Sequence, residues 1–205
     1  MADMLEPPDE HLVSLSKDGN LAAFNSLVDR YQSIVFSLCY RLIGERTAAE
    51  DAAQETFLSA FRALHQFSGG SFRGWLLRIA TNCARDELRR RMRRIPARSL
   101  AAETDDDLAI DPPAPGADPA LALDDRTLGP ALEAALRSLP PDQREVVLLA
   151  DVHGLQYEEI VAITGVTMGT VKSRLFRARE RLRRALERRP ELFTRSGRLH
   201  DRGER

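Results

Sequence analysis

The stretch YEEIVAITGVTMGTVKSRLFRARERLRR, residues 157–184, has two unlike halves joined by TGVT. The first half is acidic and apolar, and the second is dense in arginine. Ile160, Val161 and Ile163 predict a short helix turned toward a small core. Gly165 falls where a turn commonly needs a positive φ, and Thr167 is placed to cap the next helix. In that helix Val171, Leu175, Ala178 and Leu182 form one apolar stripe at helical spacing. Lys172, Ser173, Phe176, Arg177 and Glu180 fall on the other side. The pattern is that of a helix-turn-helix, whose second helix enters the major groove and reads base edges. Arginine pairs bidentately with guanine, and lysine reaches guanine or phosphate. Arg174, Arg179, Arg181 and Arg183 are expected along the flanks, on phosphates, where contacts add salt-dependent affinity without sequence information. A basic run alone is usually a solvated face. Here the turn chemistry, the helix lengths and the segregated faces agree on DNA binding.

Working outward, the periodic segments on either side are also helical. Leu128 to Ser138 and Asp142 to Asp151 predict two helices before the helix-turn-helix, with Pro140 and Pro141 between them. On the N-terminal side, Leu21, Phe24, Leu27, Val28, Tyr31, Ile34, Val35, Leu38 and Leu42 follow one helix face, and Gly44 stops it. A second helix is expected from about Ala48 to Leu64, with Ala49, Ala52, Ala53, Phe57, Ala60, Phe61 and Leu64 as its stripe. The run HQFSGGS, residues 65–71, is a loop by its Gly and Ser content. A third helix runs from about Phe72 to Arg94, and Pro96 ends it. Strand alternation is absent. The expected fold class is therefore all-α. It comprises two small helical domains, an N-terminal bundle and a C-terminal four-helix helix-turn-helix domain, joined by a flexible acidic linker.

The composition supports that division. The formal net charge is −1, yet the charges are strongly segregated. Arg85 to Arg98 holds seven arginines against two acids, whereas Glu103 to Asp125 holds acids and no Lys or Arg. Two basic blocks separated by an acidic one suggest two nucleic-acid contacts and a spacer. The spacer, DDDLAIDPPAPGADP at residues 105–119, is acidic and rich in proline. A tether of about 30 residues has ends roughly 30 Å apart on average. The two cysteines, Cys39 and Cys83, lie in apolar helical contexts and form no CxxC or Cys/His cluster, so they read as buried reduced thiols. No cofactor or metal is called for. No apolar run has the length of a membrane span, and the acidic N-terminus is not a signal peptide. The expected location is the cytoplasm.

The run LPPDQREVVLLADVHGLQYEEIVAITGVTMGTVKSRLFRARERLRRAL resembles the C-terminal promoter-binding domain of bacterial sigma factors of the sigma-70 family. The match is to the small, two-domain extracytoplasmic-function (ECF) group, and Gly169 to Arg179 is its most specific part. AFNSLVDRYQSIVFSLCYRLIG, AEDAAQETFLSAFRAL and FRGWLLRIATNCARDELRRR resemble successive parts of that group's first domain. The resemblance implies a division into an N-terminal extension (1–20), region 2 (21–98), the acidic linker (99–126), region 4 (127–188) and a basic tail (189–205). It also implies binding to core RNA polymerase and promoter DNA, regulation by a cognate anti-sigma factor, and no direct membrane insertion.

Residue roles follow from the same resemblance. Asp51, Gln54 and Glu55, which share one helix face at i, i+3 and i+4, would dock on the clamp helices of the polymerase. Phe67, Ser68 and Gly69, in the loop 67–71, would capture an unstacked base of the minus-ten element, with Phe67 as a stacking surface or, alternatively, a core plug. Asn82 and Arg85 would face the DNA, supported by Arg73, Arg78, Arg89 and Arg90. Trp75 reads as core. Thr170, Lys172, Ser173, Arg174, Phe176 and Arg177 would meet the minus-thirty-five element. Asp105, Asp106 and Asp107 would be linker contacts in the polymerase cleft, although composition alone makes the linker a solvated tether.

Two other classes compete. A stand-alone helix-turn-helix regulator would share the C-terminal domain, but residues 22–64 lack the alternating βα pattern of a receiver domain. An enzyme would need a constellation that the sequence lacks. Glu50, Asp51 and Glu55 have no histidine near them, and no phosphate loop or Ser/His/Asp set is present.

Overall fold

A computed structural model describes residues 7–94 and 128–188, which fall into two compact units. The acidic segment, Asp105, Asp106 and Asp107 within it, Pro96 and the basic tail lie outside the described residues. The described residues contain helices and turns and no strand.

The first unit is built from α1 (Asp9–Lys17), α2 (Leu21–Ile43), α3 (Arg46–Ala63) and α4 (Phe72–Arg94), with a 3-10 turn at Leu64–Gln66. α2, α3 and α4 pack pairwise around Leu27, Val35, Leu38, Leu76 and Leu77, all fully buried. Burying each such leucine contributes roughly 1.5–3 kcal/mol. α3 supplies small residues instead, with Ala49, Ala52, Ala53 and Ala60 buried, so its backbone lies close to its neighbours. The buried hydroxyls of Thr56 and Thr81 donate to the carbonyls of Ala52 and Leu77, four residues back, at 2.7 and 2.8 Å. Both cysteines are free thiols, Cys39 buried and Cys83 half-buried. Burial pushes the Cys39 thiol up to about 12, which keeps it neutral.

The helix ends are chemically specified. Gly44 ends α2 at φ 84°, the left-handed position that glycine occupies without strain. Glu45 caps α3 with both oxygens, accepting from the Thr47 and Ala48 amides at 2.7 and 3.0 Å. These bonds hold its carboxyl below the usual range. Arg91 of α4 reaches the same carboxylate at 3.2 Å and so ties α4 to the start of α3.

Three expectations for this unit are corrected. Within the expected N-terminal extension, Asp9–Lys17 form a helix, and α1 packs on α2 through Leu12 and Val13. Asp9 anchors it to Arg30 at 2.6 Å and also accepts from the Tyr31 hydroxyl. The expected apolar stripes are wider than the core they cover: Leu21 is 61% exposed and Phe61 44%. Phe67 is buried. Its ring meets Phe72 edge-on at 5.8 Å and Trp75 at 5.3 Å, which leaves it no free face for a base.

The second unit contains α5 (Leu128–Arg137), α6 (Pro141–Val147), a π-type turn at Leu148–Val152, α7 (Tyr157–Thr164) and α8 (Met168–Glu187). Its core is Val146, Val147, Leu148, Leu149, Ile160 and Leu175. Arg144 closes the corner between α5 and α6. Its guanidinium donates to the carbonyls of Leu136, Arg137 and Leu139 at 3.0, 2.5 and 3.0 Å. These include carbonyls that a helix end leaves without intrahelical partners. In the π-type turn the His153 amide donates to the Leu148 carbonyl at 2.9 Å, five residues back. Gln156 and Glu159 form a capping box at the start of α7.

Candidate nucleic-acid interfaces

The helix-turn-helix forms as the sequence predicts. Gly165 ends α7 at φ 71°, and the Thr167 hydroxyl caps α8 by accepting from the Thr170 amide at 3.3 Å. Val171, Leu175 and Ala178 are buried against the unit, and Leu182 continues the stripe half-buried. Lys172, Phe176 and Arg177 point away from it. Phe176 is 74% exposed, an unusual cost for a ring of that size unless something covers it. Thr170 and Ser173 are half-exposed, and the Ser173 hydroxyl donates to the Thr170 carbonyl at 3.0 Å. One patch thus joins two cations, two hydroxyls and a ring. These can offer hydrogen bonds to base edges and an apolar contact to a thymine methyl.

Three of the four flanking arginines, Arg174, Arg179 and Arg183, behave differently from expectation. Arg174 is ion-paired with Asp142 of α6 at 3.0 Å. Arg179 makes a fork to Asp151, at 2.9 and 2.6 Å. That bond raises its guanidinium above the ordinary value. Arg183 bridges Glu180 and Glu187, and Arg184 also reaches Glu180. Arg174 and Arg179 therefore fasten α8 to the elements before it and are not free phosphate contacts. Lys172 and Arg177 enter no ion pair among the described residues.

In the first unit the 67–71 loop is held at both ends. The Phe67 carbonyl accepts from Lys17 Nζ at 2.5 Å. Ser71 caps α4 by accepting from the Gly74 amide at 3.0 Å. Between them Ser68, Gly69 and Gly70 are exposed, with φ of 108° at Gly69 and 85° at Gly70. Only glycine adopts both without strain. Two successive glycines leave open backbone, and nothing lies within 4 Å of the place where a Cβ would stand on either.

α4 carries the predicted basic strip, with a correction. At about 100° per residue, Arg78, Asn82, Arg85 and Arg89 share one side of the helix. Asn82 and Arg89 are exposed and Arg85 is half-exposed. Arg89 holds Asp86 at 2.8 Å. Arg73 and Arg90 do not belong to the strip. Arg73 lies about 180° from Asn82, half-buried and near enough to Tyr31 to act on it electrostatically. Arg90 lies about 140° from Arg85 and is bound to the buried carboxylate of Glu87.

On α3 Asp51, Gln54 and Glu55 are all exposed on one side. Glu50 is engaged by Arg46 at 3.0 Å and Glu55 by Arg62 at 3.5 Å. The three carboxylates Glu50, Asp51 and Glu55 form no metal-holding group. Beside this face runs a feature that periodicity did not reveal. An open apolar trough of about 660 Å³ lies between α2 and α3, lined by Leu21, Val28, Phe36, Phe57, Leu58 and Phe61 and edged by Gln54. Its signal in the sequence was an excess of large apolar residues over what three helices can bury.

A helix-turn-helix that presents unpaired cations on its second helix defines a DNA-binding protein. Residues 27–94 match the sigma-70 region 2 family and residues 130–182 the sigma-70 region 4 family. The chain is 43% identical over 187 residues to the ECF RNA polymerase sigma factor SigE of Mycolicibacterium smegmatis, spanning 89% of this chain and 70% of that one. It is 35% identical over 186 residues to the RNA polymerase sigma-H factor of Pseudomonas aeruginosa, spanning 90% and 96%. Among solved structures, it resembles the sigma factor RpoE in complex with the anti-sigma factor NepR from Bartonella quintana. That likeness has a TM-score of 0.64 and 29% identity, and covers 80% of this chain and 96% of that one. CnrH in complex with the cytosolic domain of CnrY matches with a TM-score of 0.61 and 27% identity, covering 88% and 98%. The chain belongs to the ECF sigma factors of the sigma-70 family.

Proposed function

We propose that the chain is a promoter-specificity subunit that binds core RNA polymerase, directs it to particular promoters and promotes melting there. The observation that carries this reading is the pairing, in one chain, of a region 2 unit with a region 4 unit. A stand-alone regulator has use for the second and none for the first. The catalytic step of RNA synthesis belongs to the polymerase, and the chain itself is no enzyme. It acts in the cytoplasm, and no helix among the described residues is long and apolar enough to cross a membrane.

Each part takes a role. The face of Asp51, Gln54 and Glu55, extended by the apolar trough, meets the polymerase. The exposed Ser68–Gly70 loop takes an unstacked base of the minus-ten element, and Asn82, Arg85 and Arg89 follow the strand. Extracting a base costs a few kcal/mol, which a shaped site must return. Thr170, Lys172, Ser173, Phe176 and Arg177 read the minus-thirty-five duplex. Residues 1–20 belong functionally with region 2 (21–98). Residues 99–126 tether it to region 4 (127–188), ahead of the tail 189–205. A cognate anti-sigma factor covers these surfaces when initiation is held off, as the complexes of the two similar structures support for this chain.

The test is transcription in vitro with core RNA polymerase and a library of promoter fragments. A shared two-part element that drives initiation only when the chain is present is the expected outcome. Duplex binding without polymerase binding or initiation would instead make the chain a stand-alone regulator.

A further inference from the structure

α1 is a strut with two anchored ends. At its start Asp9 holds Arg30 and Tyr31 of α2, and Arg30 also donates to the Pro7 carbonyl at 2.8 Å. At its last residue Lys17 leaves the helix surface and reaches the loop fifty positions later. There its ammonium does two things at once. It donates to the Phe67 carbonyl, and it stands 5.7 Å from the centroid of the Phe67 ring. The ring is fixed from the other side by Phe72 and Trp75. The peptide plane that opens the Ser68–Gly70 segment is thus locked by a charge-assisted bond and a ring contact. The far end is locked by Ser71 on the Gly74 amide. Between the locks stand two glycines, residues that otherwise leave a backbone with many conformations.

We propose that Lys17 is a positioning residue for the Ser68–Gly70 loop, fixing through the Phe67 carbonyl the shape that receives one unstacked base of single-stranded DNA. The inference rests on the assignment of that loop to the minus-ten strand. Lys17 does not touch the base. It decides how much of the loop's order is present before the base arrives, and a pre-ordered loop discriminates between bases better than one that must be ordered by them. Phe67 contributes in the same way, as a buried anchor and not as a stacking platform.

The experiment uses holoenzyme assembled from the full chain and core RNA polymerase. Fluorescent single-stranded minus-ten oligonucleotides, varied one base at a time, are titrated against the parent and four variants. Lys17→Met keeps the side-chain body and removes the ammonium. It is expected to weaken the preferred oligonucleotide by about five- to tenfold, the net worth of one ordinary hydrogen bond. It should also flatten preference at the captured base, while binding to core polymerase and to the minus-thirty-five duplex stays unchanged. Lys17→Arg should restore most of the preference. Asp9→Asn loosens the opposite end of α1, and is expected to lower the melting temperature without altering base preference. Should Asp9→Asn flatten the preference as much as Lys17→Met, general docking of α1 is responsible and the role of Lys17 is overturned. It is overturned equally if Lys17→Met leaves preference intact while Gly69→Val abolishes it. If neither changes preference, the assignment of the loop falls, and this inference with it.

Discussion

α4 and α8 are both dense in arginine, yet on the sides expected to meet DNA the arginines are engaged differently. On α4 the outward Arg89 pairs with Asp86, three residues away on its own helix. On α8 Arg174 and Arg179 cross to Asp142 and Asp151, on elements far earlier in the chain. A local pair can be exchanged for a phosphate while the fold stays as it is. A crossing pair gives up a link between two elements when the arginine leaves, so its exchange weakens the fold. The number of arginines on a DNA-facing helix is therefore not the number of phosphate contacts.

The largest expected effects fall on two cations of α8 that enter no ion pair among the described residues. Lys172→Ala and Arg177→Ala should each cost about 1–3 kcal/mol of discrimination for the preferred minus-thirty-five duplex. Competition binding with single-base variants measures this, and the melting temperature should hold. Next come the crossing pairs. Arg174→Ala and Arg179→Ala are each expected to destabilise the second unit by up to about 1 kcal/mol, a modest figure because the pairs are partly exposed to solvent. Urea unfolding followed in parallel with DNA titration separates the two roles. Lost affinity at unchanged stability would erase the contrast between the helices.

Smaller still is Arg89→Ala. It should leave stability within about 0.5 kcal/mol and lower the salt slope of promoter binding by about one. The last effect is a pH dependence in the first unit. The Glu45 carboxyl is held below its ordinary value by the Thr47 and Ala48 amides and then by Arg91. Its contribution is thus present above the usual glutamate range, near 4.3, and is lost as pH falls below it. Glu45→Gln should flatten the acid limb of a stability-against-pH curve, measured by denaturant midpoints. An unchanged limb would leave Arg91 without a structural partner of consequence.

Much of this was legible in the sequence where the signal is local. Gly44 and Gly165 mark helix ends because the left-handed position favours glycine, and both occupy it. The stripe of Val171, Leu175 and Ala178 is buried as spaced. What escaped depends on partners remote in sequence. α1 was missed because nine residues with two large buried side chains give little periodicity, although Pro8, Asp9 and Glu10 have the composition of a helix start. Arg174 and Arg179 looked like phosphate ligands because nothing local reveals Asp142 and Asp151. Phe67 was open to two readings until Phe72, Trp75 and Lys17 closed around it. The trough between α2 and α3 escaped because periodicity tells which side of a helix is apolar, not how much of that side the fold can cover.

Arg144 sets a boundary on how the second unit can be divided. Its three acceptors all lie in the Leu136–Leu139 stretch, before the helix that bears it. A fragment starting at Pro141 would keep both helices of the DNA-reading motif, yet it would strand a guanidinium whose acceptors had been cut away. A unit that keeps Arg144 with its acceptors therefore begins with α5, well upstream of the helix-turn-helix.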